Sequence, residues 1–143
     1  MSTDPGRRAS AFARFRALTS QERRLLLHGG CLLPAVAVGL RLTGFAAVRK
    51  WALAPPRARR GKRLDPERIA SLLAIANGRL PAPASCLVRS LALARLLRLE
   101  GWDASLQFGV RREHSALEAH AWVEVGGRPV NDDGKGAYRR LAS

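Results

Sequence analysis

The sequence predicts an α+β fold, and a change of period along the chain carries that reading. Up to residue 99 apolar residues recur at helical spacing; beyond Gly101 they alternate with polar ones, first over 104–111 and again over 119–125. The chain has 143 residues, which fits one domain, and its hydrophobic fraction of 47% is enough to bury a core. The expected order is N-terminal helices, a central helix, then a small antiparallel sheet.

Residues 25–40, LLLHGGCLLPAVAVGL, carry no formal charge before Arg41 interrupts. A membrane-spanning helix needs about 20 predominantly apolar residues, and Gly29, Gly30 and Pro34 propagate a helix poorly. A buried helical hairpin or kinked helix is expected instead. The basic flanks Arg23, Arg24, Arg49 and Lys50 also suit peripheral contact with an anionic membrane surface. Residues 54–63, APPRARRGKR, read as a solvated basic linker. Residues 1–63 are thus an N-terminal helical region with its linker, 64–143 are the core, and together they make one compact domain.

Asp65-Pro66-Glu67 supplies an N-cap, a proline at the first helical position and an acid in the first turn. The helix it starts carries Ile69, Leu72, Leu73 and Ala76 at helical spacing and closes at Gly78. Pro81 and Pro83 keep the following approach extended, Ser85 can cap, and an Ala/Leu/Arg run continues to the C-terminal glycine Gly101. Cys86 therefore sits in the first turn of a strong helix. After that helix, Ala104, Leu106, Phe108 and Val110 alternate as a half-buried strand, residues 111–118 read as a polar loop, and 119–125 alternate again. Gly126-Gly127 turns the chain and 128–132 return as the partner strand.

Lys and Arg number 25 against 11 Asp and Glu, a net charge of +14, which favours acidic or phosphate-bearing partners. A nucleic-acid contact at 57–63 is weighed against a merely solvated loop, and the loop is preferred. Cys31 and Cys86 do not make a disulfide framework, and no Cys/His set has zinc-site spacing. A reducing cytoplasm is the expected location, because the arginine-rich N-terminus is too extended and charged for a secretory signal.

A thiolate is the nucleophilic form of cysteine, and a helix N-terminus favours an anion through its free N–H groups. The same N–H groups can receive the oxyanion of an acyl-transfer intermediate. A cysteine at a helix start is also a common small apolar filler, so the weight falls on its company. The strand His120-Ala-Trp-Val-Glu offers a base, and an acid on the returning strand can orient it. A three-residue loop at 125–127 sets His120 opposite Asp132; a two-residue Gly126-Gly127 turn pairs it with Asp133 and moves Asp132 to the other face. His28 and His114 lack such a setting. Arg89, one turn after Cys86, is read as a surface residue within reach of substrate.

The stretches Cys86-Leu-Val-Arg-Ser-Leu-Ala-Leu, Phe108-Gly-Val110 and Ala119-His-Ala-Trp-Val-Glu-Val-Gly-Gly-Arg-Pro-Val-Asn-Asp132 resemble the leader peptidase family of lasso-peptide biosynthesis, within the transglutaminase-like superfamily. Glu22–Leu27 and Gly44–Arg49 are similar as well. The resemblance implies a papain-like cysteine protease that cuts the leader from a ribosomally made precursor with Cys86, His120 and Asp132 as nucleophile, base and orienting acid. Matching the acid to Asp132 favours the three-residue loop. No strand-rich recognition module precedes Cys86, so the chain resembles the split form, which implies a separate leader-recognition protein and work alongside an ATP-dependent cyclase. No cofactor or metal is implied. The rival expectations are acyl transfer to an amine by the same triad and a non-enzymatic basic binding module.

Overall fold

The computed structural model describes residues 12–56, 58, 63–131 and 139–141. Among them the fold is α+β: a short helix α1 (12–17), then α2 (Ser20–Thr43), α3 (Phe45–Ala52), α4 (Pro66–Gly78) and α5 (Cys86–Leu99) precede β1 (Ala104–Glu113), β2 (Ala116–Val125), β3 (Arg128–Pro129) and β4 (Arg139–Arg140). The strands form one antiparallel sheet in the order β3-β2-β1-β4.

A capping box opens α2. Thr19 Oγ1 accepts from the Glu22 backbone N–H at 3.2 Å, and Glu22 Oε2 accepts from the Thr19 N–H at 2.9 Å. The helix then runs unbroken through Gly29, Gly30 and Pro34, so the break expected there falls instead at Gly44, whose φ of 85° suits glycine. Gly29 serves packing: a Cβ at that position would stand 2.9 Å from Leu73 Cδ1 on α4. Nor is α2 wholly buried. It packs on α4 and α5 through Leu25, Gly29, Leu32, Leu33 and Val36 and leaves the opposite face to solvent.

Asp65 is the N-cap residue of α4, but its side chain makes no capping bond; Pro66 fixes the start. In α5 the Ser85 hydroxyl accepts from the Val88 N–H at 3.4 Å. The far end closes as the sequence indicates, with Gly101 at φ 87°, its N–H bonded to Arg98 O and the Trp102 N–H bonded to Leu97 O at 2.9 Å. That is a Schellman closure. Eight of the fourteen α5 residues are buried, and Leu91, Leu97, Ile69, Leu72, Leu33 and Val123 lie in one core that joins the helices to the sheet.

The sheet corrects two expectations. Residues 111–118 are not a loop: β1 and β2 extend through them and only His114 and Ser115 turn, His114 with a φ of 56°. Polar residues tolerate this ribbon because Arg111 stands opposite Glu118 and bonds both it and Glu113, at 2.7 and 2.9 Å. The second hairpin has the two-residue turn rather than the three-residue loop, since Val125 pairs with Arg128. Gly126 and Gly127 have φ values of 59° and 77°, and two consecutive left-handed residues give the turn whose twist matches that of the strands.

Candidate functional site

Cys86 is the first residue of α5 and is half-buried. The segment leading to it is held from α4: the buried side chain of Asn77 accepts the Ala84 N–H through Oδ1 at 2.8 Å. One turn further along α5, Ser90 is fully buried. Its hydroxyl donates to the Ala121 carbonyl at 2.9 Å and accepts from Asn131 Nδ2 at 3.2 Å, while Asn131 Oδ1 accepts the Val123 N–H at 2.7 Å. A carbonyl two residues before Val123 lies past the last β3 partner among the described residues, and the Ser90 hydroxyl takes it in place of a ladder N–H. This one serine joins the helix that begins at Cys86, the strand that carries His120 and the returning chain.

His120 precedes Ala121 on β2 and is half-buried. Alternation gives β2 two lined faces. Val123 and its cross-strand partner Leu106 join the helical core, whereas His120, Trp122 and Glu124 share the other face. The His120 and Trp122 rings stack, with centroids 6.1 Å apart and planes at 19°. Across the ladder from His120 stands Gly109, so β1 sets no side chain beside the imidazole there. Trp122 Nε1 donates to Glu124 Oε1 at 3.1 Å, and Arg140 on β4 bonds the same oxygen. Glu124 is 4% exposed, a buried acid satisfied by an indole and a guanidinium.

Asp132 and Asp133 lie outside the described residues. The two-residue turn withdraws the geometric argument that put Asp132 opposite His120, because that pairing needed the three-residue loop. The ladder itself is brief: Val130 still donates to Val123 O at 2.9 Å, and Asn131 then turns its side chain onto the Val123 N–H. Asn77, Ser90, Asn131, Glu124 and Arg140 were not singled out from the sequence. Ser90 left a signal, a polar residue at a position the surrounding helical pattern marks as buried, whereas Glu124 falls on the polar face of the β2 alternation and left none.

Arg89 does not simply face solvent. With Leu73, Leu93, Val130 and Asn131 it lines a groove of about 380 Å³ between α4 and α5. Among the described residues no group of three or more His, Cys, Asp or Glu is arranged to hold a metal ion.

A family model described as the transglutaminase-like superfamily matches residues 30–143. A stretch of 47 residues is 47% identical to the microcin J25-processing protein McjB of Escherichia coli; it makes up 33% of this chain and spans 22% of that protein's length. No solved structure matches the chain.

Proposed function

The chain belongs to the transglutaminase-like superfamily, and from that premise we propose that it is a cysteine peptidase that removes the leader from a ribosomally made lasso-peptide precursor. The similarity to a microcin-processing protein supports the precursor-peptide substrate. The Ser90–Ala121 bond carries the catalytic reading. Arg98 near the end of α5 bonds Ala104 O at 2.8 Å, and Ala104 pairs with Val125, so α5 and β2 advance in the same sense. A helix rises about 1.5 Å per residue and a strand about 3.3 Å, so stepping back one turn from Ser90 to Cys86 corresponds to about two strand residues. By that arithmetic Cys86 is expected level with residues 119–120. His120 lies on the face of β2 away from Leu106 and Val123, so the reading requires its imidazole to turn around the strand edge toward the first turn of α5.

In the proposed reaction His120 takes the Cys86 thiol proton and the sulfur adds to the scissile carbonyl, whose oxyanion is received by the N–H of Cys86. The imidazolium returns its proton to the leaving amine, which departs as the new N-terminus of the core peptide. Water then gives a proton to His120 and adds to the thioester, and the thiolate leaves with the leader carboxylate released. Asp132 is assigned as the acid that orients the imidazole on the family resemblance alone, since the observed two-residue turn favours Asp133 as the counterpart of His120, and the groove beside Arg89 is assigned as the rest for a substrate side chain. A separate leader-recognition protein and a cyclase that consumes the freed amine complete the reading, in a reducing cytoplasm.

The test combines labelling with product analysis. With iodoacetamide, exposure alone predicts that Cys31 reacts faster; an activated site predicts Cys86 faster, with the advantage lost in His120→Ala. Mass spectrometry of a precursor peptide encoded in a neighbouring reading frame is expected to show a free leader and a free core. An isopeptide product without cleavage would replace peptidase by acyl transferase.

A further inference from the structure

The exposed face of α2 has no role in the reaction. Leu27, Val38 and Leu42 are 61, 52 and 78% exposed, and exposed Cys31, Pro34 and Ala35 fall between them. Spaced by three or four residues, these side chains form one apolar stripe along the side opposite the buried Leu25, Leu32, Leu33 and Val36. Exposed Arg24 and Arg41 stand toward its two ends. By length and composition the helix could cross a membrane. Crossing would strip it from α4 and α5, on which its other face is packed.

The charge pattern selects the occupant. Residues 23–64 contain ten Lys or Arg and no Asp or Glu. A second copy would bring its own exposed Arg24 and Arg41 against these, which opposes self-association through this face. Between Glu22 and Thr43 there is also no Ser, Thr, Asn or Gln, so apart from exposed His28 and the arginines at its ends the stripe offers few of the side-chain hydrogen bonds that a specific protein interface carries about every 100–200 Å². An anionic lipid surface needs no such bonds: it accepts an apolar stripe at the depth of its headgroups and cations at any position around it.

We propose that α2 is an in-plane membrane anchor, its Leu27–Leu42 face laid into an anionic bilayer surface while the opposite face holds the domain. This inference is independent of the peptidase reading.

The experiment uses the full chain and vesicles of equal parts phosphatidylglycerol and phosphatidylcholine, with phosphatidylcholine alone as the contrast. Sedimentation is expected to recover the protein with the anionic vesicles, to do so at least about tenfold less with the neutral ones, and to weaken in high salt. Val38→Glu and Leu42→Glu are each expected to lower partitioning at least about tenfold with an unchanged circular dichroism spectrum. In a Cys86→Ala background, an environment-sensitive dye on Cys31 should shift to the blue on anionic vesicles only. Equal binding to both vesicles, no effect of the glutamates, or a dimer dispersed by Val38→Glu would overturn the proposal.

Discussion

Helices α2 and α5 invert the usual relation between composition and burial. The α2 segment is uncharged over 25–40, yet one of its faces meets solvent; α5 carries three arginines among its fourteen residues and is buried along most of its length. Partners make the difference. Elements pack around α5 on several sides, and its arginines reach out to carbonyls: Arg98 bonds Ala54 O and Ala104 O, and Arg95 bonds Trp51 O while lying 5.0 Å over the Trp51 ring. Long stems lie along apolar surface while charged heads find acceptors, so arginine is compatible with a packed helix. Hydropathy ranks segments by what they tolerate, and the number of neighbouring elements decides what they bury.

Each helix carries one cysteine, which gives the sharpest test of the contrast. Cys86→Ala and His120→Ala are expected to lower precursor cleavage by at least about 10³-fold with the fold intact, and Cys31→Ala to leave the rate unchanged. Loss of cleavage in Cys31→Ala would break the comparison. Next in size are the packing variants. Leu91→Ala in α5 should destabilise by about 2–5 kcal/mol in denaturant unfolding, against less than about 0.5 kcal/mol for Val38→Gln on the exposed face of α2.

Ser90→Ala is expected to cost about 1–3 kcal/mol, because it strands the Ala121 carbonyl and the Asn131 amide, and to slow cleavage beyond what partial unfolding explains. Asn131→Ala, which removes the acceptor of the Val123 N–H, should act alike. The smallest effect belongs to Glu22 at the start of α2. The Thr19 backbone N–H and the Arg68 guanidinium, 2.7 Å away, hold its carboxyl below the usual glutamate value. A depressed folded pKa means that its contribution is present above the ordinary glutamate range and lost as pH falls through the folded value. Glu22→Gln should lower stability slightly near neutrality, where that contribution is present, and change little at low pH, which flattens the acid limb of the stability curve.

Much of this was legible in the residues, and the exceptions share a cause. Pro66, Ser85 and Gly101 marked helix ends correctly because capping and left-handed closure involve neighbours a few residues apart. The alternation after Gly101 located β1 and β2 for the same reason. The ribbon at 111–118 was missed because what sustains it, Arg111 facing Glu118, is a pairing across a turn that composition reads as loop. Gly126-Gly127 was recognised as a turn, but two loop lengths fitted the same letters. Of the site, Cys86 and His120 were nominated from local setting, and the Ser90–Asn131 link between their elements was not.

The sequence by itself determined most helix ends, the alternation that makes β1 and β2, and which residues are candidates for acyl transfer. Those properties rest on local conformational preference and on the side chain's own functional groups. Tertiary structure alone decided which face of α2 is covered, which register the second hairpin takes, and that a serine on α5 bonds a carbonyl thirty-one residues away. Such choices depend on closing long segments of chain against one another, and the free energy that selects among them comes from surfaces and hydrogen bonds that exist only once the partners have met.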